Sequence, residues 1–199
     1  MKELHSQDLR SDDPENLHAT TIKEHVEPER LESAAEHISR MEQLRPEVWS
    51  KMSETNREWC LRQVGQRLSE AYECPAPPSI GSRLNEDDRG ITLGEHSDSD
   101  YLIKLDHEVL KMNDPHRALE TYCHEFRHAY QHEMASRYNS TFRHLCHDEI
   151  EAKRWSENLQ QGKYASFEED PERYAAQPVE NDARDFAAQI REKVRTKQQ

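Results

Sequence analysis

The stretch that most constrains this 199-residue chain is Cys123-His124-Glu125-Phe126-Arg127-His128-Ala129-Tyr130-Gln131-His132-Glu133-Met134. Leu119, Tyr122, Phe126, Ala129, Tyr130 and Met134 recur with helical spacing, and Asp114-Pro115 supplies an N-cap followed by proline at the first helical position. On such a helix His124 and His128 stand one turn apart on the same face, so both imidazoles reach a single metal ion. Glu125 follows the first histidine and projects beside the ion without binding it. There a carboxylate can hold a metal-bound water and take its proton. His132 continues the i, i+4 series, but at 1.5 Å per residue it lies about 12 Å from His124 along the axis, too far for the same ion.

The chain is long enough for one domain with a real core and a tail. It is polar, with 33% hydrophobic and 34% charged residues and a net charge of −13. That charge argues against nucleic acid or an anionic membrane surface as a partner. No stretch is apolar enough to span a membrane or to form a signal core, so the expected compartment is the cytoplasm, with secretion as an effector by a signal-independent route left open. Cys60, Cys74, Cys123 and Cys146 show no C-x-x-C spacing and read as free, buried thiols. Residues 1–28 read as a disordered acidic tail, in which Asp12-Asp13-Pro14-Glu15 could start a short helix. Residues 29–195 read as a single domain.

Within that domain, Leu31, Ala34, Ala35, Ile38 and Met41 predict a helix from Glu29 to about Leu44. Val48, Trp49, Met52, Trp59, Leu61, Val64, Leu68 and Tyr72 predict one long amphipathic helix to Glu73, its Trp and Met stripe belonging to the core. Cys74-Pro75-Ala76-Pro77-Pro78 stops it. Three strands follow, at 79–84, 90–94 and 101–105, the last two joined by a polar hairpin connection. After the motif helix, residues 141–161 read as a helix with Phe142, Leu145, Cys146, Ile150 and Trp155 on its apolar face, closed by Gly162. His144 and His147 on that segment are candidate transition-state donors or surface residues. Residues 162–177 read as a loop whose Tyr164, Phe167 and Tyr174 pack, or whose tyrosines supply a hydroxyl to an oxyanion.

Pro178 begins a last helix whose Ala183, Phe186, Ala187 and Ile190 face inward. Its first turns carry two acids, Glu180 and Asp182. Either they complement the helix dipole, or one of them is a third metal ligand.

The pattern H-E-x-R-H-x-Y-Q, with Glu180 of P-x-E-x-D-A-x-x-F-A 52 residues after His128, resembles the small bacterial gluzincin-type metallopeptidases. These include the ImmA/IrrE-like proteins and the zincin-like toxin domains, and the resemblance covers about residues 90–190. It implies an α+β, zincin-like fold: a small, mostly antiparallel sheet with an active-site helix and several packing helices. It implies one Zn2+ per chain, held by His124, His128 and Glu180, and Glu125 as the general base of peptide-bond hydrolysis by zinc-activated water. It also implies that the strand just before the motif helix, 101–105, is the sheet edge on which an extended substrate pairs. The partners it suggests are a protein or peptide substrate and, in the toxin setting, an inhibitory or immunity protein. Geometry agrees with Glu180 over Asp182. The two point roughly 200° apart on a helix, and Ala183 shares the face of Glu180 and permits close approach. Two other classes stay open: a non-catalytic zinc-binding regulatory or interaction module, and a helical interaction protein that binds no metal. Retention of Glu125 favours the peptidase.

Overall fold

The computed structural model describes the backbone of residues 14–82, 94–97 and 101–199, and the side chains of 27–81, 94, 96 and 101–199. The chain runs α1 (Pro14–Ser39), α2 (Pro46–Trp49), α3 (Glu54–Tyr72), β1 (Ser79–Ser82), β2 (Gly94–Ser97), β3 (Leu102–Asp106), α4 (His107–Lys111), α5 (Pro115–Tyr138), α6 (Glu149–Asn158), α7 (Pro171–Ala176) and α8 (Pro178–Lys197). The class is α+β, with helix predominating.

The motif helix, α5, is the central element. Asp114 accepts from the backbone N–H groups of His116 and Arg117, and Pro115 opens the first turn. Leu119, Tyr122, Phe126, Tyr130 and Met134 are buried on its inner side. α8 lies along α5, α1 packs on both α8 and α3, and α6 closes the far end of α5. Gly65 on α3 is needed where that helix meets α5, because a Cβ there would overlap the Tyr122 hydroxyl. Among the described residues no helix is long and apolar enough to cross a membrane.

The sheet is mixed and not mostly antiparallel. Its order is β1-β3-β2, with β1 parallel to β3 and β2 antiparallel to it. β3, expected at the edge, is therefore the central strand, and β2 takes the edge beside α5. Each strand is only four or five residues long, too short for its own pattern to say which neighbour it takes. β2, Gly94–Ser97, falls on the expected polar connection; positions 90–93, and 83–84 at the end of the first predicted strand, lie outside the described residues.

Other boundaries move for local reasons. α1 begins at Pro14, so the boundary at Glu29 falls inside a helix and Pro28 is an interior residue; positions 1–13 of the expected tail lie outside the described residues. The long helix predicted from Val48 is two helices. Ser53 adopts extended backbone and accepts from Asn56 N–H, capping α3. The buried Arg57 guanidinium donates to the carbonyl of Trp49, which also accepts from Met52 N–H, and to those of Leu110 and Met112. Trp59, expected in the core, is 54% exposed. The helix predicted over 141–161 begins only at Glu149, where Asp148 caps the N–H groups of Ile150 and Glu151. Phe142, Leu145 and Ile150 are accordingly exposed. The loop at 162–177 contains α7, capped by Asp170. All four cysteines are free, three buried and Cys146 half-buried. Burial pushes the Cys60 and Cys74 thiols up to about 12, which leaves them poor nucleophiles.

Candidate metal centre

α5 and α8 bring His124, His128 and Glu180 together. The two imidazoles meet edge to face, with ring centroids 4.6 Å apart and Nε2 atoms 3.0 Å apart. Glu180, 1% exposed, reaches them from the first turn of α8. Its Oε2 lies 3.5 Å from His124 Nε2, and its Oε1 lies 3.5 Å from His128 Nε2. Ligands at ~2.0–2.1 Å around a tetrahedral ion are ~3.3–3.4 Å from one another, so the spacing of these three groups is that of a metal cage. Among the described residues they are the group of His, Cys, Asp and Glu side chains placed to hold a cation.

The charges at the triad are compatible with a cation. Glu180 Oε1 accepts from the Tyr164 hydroxyl at 2.9 Å, while Oε2 is buried with no hydrogen-bond partner. A buried carboxylate oxygen left in that state is costly, and a metal ion would satisfy it. Burial pushes the Glu180 carboxyl up, but the two imidazoles outweigh burial and hold it below its ordinary range. Burial lowers His128, yet the Glu180 hydrogen bond and the Glu125 charge carry it up to about 9. Metal ligands must be deprotonated, so a dication entering here takes the place of that proton.

Glu125 points past the triad toward β2. It is 7% exposed, and burial raises its carboxyl above the ordinary value while His124 and His128 pull the other way. It lines a cleft together with Gly94, His124, Tyr164 and Tyr174. On one side this cleft opens into a lobe of about 400 Å³ that includes His96, His132 and Leu159. On the other it opens into a lobe of about 920 Å³ that includes Arg117, Thr121, Phe167 and Ala188. The triad thus sits along a groove with space on both sides.

Asp182 is not part of this cage. It grips Arg127 through two hydrogen bonds, 2.8 Å from Nε and 3.0 Å from Nη2. His132 stands apart from the triad and packs its ring against His96, with centroids 5.5 Å apart. His144 is exposed, and His147 is engaged by the Tyr130 hydroxyl at 3.0 Å and by Glu73 at 3.3 Å. Tyr164, and Tyr174 on α7, both line the cleft. Reasoning from sequence missed Gly94, Gln131 and Arg127. The signal available for Arg127 was its place between buried positions of an amphipathic helix, which demands an acid partner. No protein-family model, curated protein or solved structure matches the chain.

Proposed function

We propose that the chain is a zinc-dependent endopeptidase in which His124, His128 and Glu180 hold the metal and Glu125 is the general base. The observation that carries this reading is the convergence of two imidazoles and one orphaned carboxylate oxygen at metal-ligand spacing, with a second buried carboxylate beside them in a cleft. Two histidines and a glutamate are a donor set of catalytic zinc, which keeps its fourth position open; closed structural sites use four protein ligands.

Zinc bound there would supply an acidified water and polarise the scissile carbonyl. Glu125 takes a proton from the attacking water and delivers it to the departing amine. Its raised proton affinity suits that exchange better than an exposed carboxylate would. Tyr174 and Tyr164 supply phenol donors on the same cleft for the developing oxyanion. Both hydroxyls also lean on Glu180, Tyr164 at 2.9 Å from its Oε1. An extended peptide fits along the outer edge of β2, the strand that pairs with β3 on its other side and carries Gly94 and His96 into the cleft. Space on both sides of the triad suits an internal bond rather than a chain end.

The test is metal analysis of protein purified without added metal, followed by incubation with a diverse peptide mixture read by mass spectrometry. The expected result is about one zinc per chain, and cleavage by the wild type that is absent from Glu125→Gln. Absence of bound metal, or equal cleavage by both proteins, overturns the reading. Stoichiometric zinc without cleavage of any peptide leaves a regulatory metal-binding module in its place.

A further inference from the structure

We infer that Gln131, Asp182 and Arg127 are positioning residues for His128, forming a hydrogen-bonded chain that fixes which nitrogen of the ring faces the triad. The inference rests on the reading of His124, His128 and Glu180 as metal ligands.

Gln131 is 0% exposed and lies one turn beyond His128 on α5. Its amide nitrogen donates to the Val179 carbonyl at 2.9 Å and to Asp182 Oδ2 at 2.7 Å. Both partners are pure acceptors, so the orientation of the amide is settled by its surroundings. Gln131 Oε1 must then face His128 Nδ1, 2.9 Å away. An oxygen there can only accept, so Nδ1 carries a hydrogen. The lone pair of the neutral ring is left on Nε2, the atom that faces His124 and Glu180. A metal-binding histidine needs this tautomer.

The far end of the chain is equally constrained. Asp182 has both oxygens occupied by Arg127, and Oδ2 also receives Gln131. Arg127 is 5% exposed and lies 4.9–5.7 Å from the ring centroids of Tyr72, Tyr130, Trp155 and Phe186. Its remaining Nη1 donates to Glu27 on α1 at 3.0 Å. A guanidinium walled in by four rings cannot swing, so Asp182 cannot, and Gln131 is held in turn. Asp182 stands two residues from Glu180 on α8, so one helix presents a ligand to the cage and a clamp to the ring opposite it. Acid partners of this kind orient metal-binding imidazoles and strengthen their basicity, and losing one typically weakens metal binding about 10–100-fold.

The test is chelator competition for Zn2+ and Co2+ at one pH, with the visible spectrum of the Co2+ form and the thermal midpoint of the metal-free protein recorded for each variant. Gln131→Met keeps the length of the side chain but offers His128 Nδ1 no acceptor oxygen. It is expected to weaken both ions about 10–100-fold and to shift the Co2+ bands. Asp182→Asn puts a donor where Asp182 now only accepts, and should weaken binding in the same direction; it serves if Gln131→Met does not fold. Ile190→Val removes a methylene from the same helix pair away from the chain, and should lower the midpoint while leaving affinity and spectrum unchanged. If the Gln131 and Asp182 variants behave like Ile190→Val, the chain is only a tie between helices and the inference is overturned. A wild type that binds neither ion removes the metal reading itself, and this inference with it.

Discussion

Gly94 on β2 and Glu125 on α5 approach so closely that a Cβ at position 94 would lie 2.8 Å from Glu125 Cγ and 3.1 Å from its Oε1. The strand that edges the cleft is therefore also the wall against which the Glu125 side chain rests. Only a residue without a side chain lets β2 and Glu125 occupy their present places together.

Gly94→Ala is expected to push the Glu125 carboxylate out of line without touching the metal ligands. Zinc content should stay at the wild-type level, while kcat on any cleaved peptide falls roughly 10- to 100-fold, the scale of a misplaced catalytic group. Metal analysis paired with steady-state kinetics checks this. Unchanged kcat would mean that Glu125 has room to adjust.

The cage makes a sharp division among acids and histidines close together in sequence. His128→Ala and Glu180→Ala each remove a ligand and should bring bound zinc well below one per chain. His132→Ala, one turn further along α5, should keep it, because that ring packs on His96. Dialysis against trace zinc followed by elemental analysis reads all three. An empty site in His132→Ala would show that the ion takes its ligands from the other end of the histidine series.

Arg127 is a buried charge whose partners would be stranded without it. Arg127→Ala strips the half-buried Asp182 of its partner and opens a hole among four rings, and is expected to cost roughly 3–5 kcal/mol. Adding Asp182→Ala should recover part of that loss, since the stranded charge goes too. Urea denaturation of the two single variants and the double variant measures the coupling. Simple additivity would show that the pair contributes nothing as a pair.

A surface clamp gives α1 and α8 a pH dependence. Hydrogen bonds from Lys193 and Lys197 hold Glu32 down to about 2, from an ordinary value of 4.5. A depressed carboxyl favours the fold while it is ionised, so this contribution is intact above 4.5 and is lost as pH falls from 4.5 toward 2. The thermal midpoint of the wild type should exceed that of Glu32→Gln near neutral pH, and the gap should close by about pH 2. Because Glu32 is exposed, roughly 1 M salt should narrow the gap at any pH. A gap that is constant across the titration would rule the clamp out.

The motif helix and its partner were legible from local chemistry. Asp114-Pro115 and Pro178 announce helix starts by themselves, and the i, i+4 histidines define a face wherever the helix lies. Helix geometry bars Glu180 and Asp182 from sharing one ion, and the preference for Glu180 came from Ala183 on its face, its longer reach and the resemblance; the structure brings Glu180 to the histidines. What was not legible depended on distant parts of the chain. The sheet order turned on which short strand could lie against Glu125. The break before α3 turned on Arg57 collecting carbonyls from Trp49, Leu110 and Met112, two of them more than fifty residues away. The late start of α6 reflects Asp148 overruling an apolar spacing that looked helical through Phe142 and Leu145. Gln131 read as one more polar residue because its partners sit on a helix that local pattern cannot connect to it.

The distance along the chain between the two halves of the cage has a consequence in time. His124 and His128 leave the ribosome 52 residues or more ahead of Glu180. At about 5–20 residues per second, that is roughly 3–10 s during which the histidines have no acid to complete them. Until α8 has emerged and docked, the growing chain therefore carries two of the three groups of the cage.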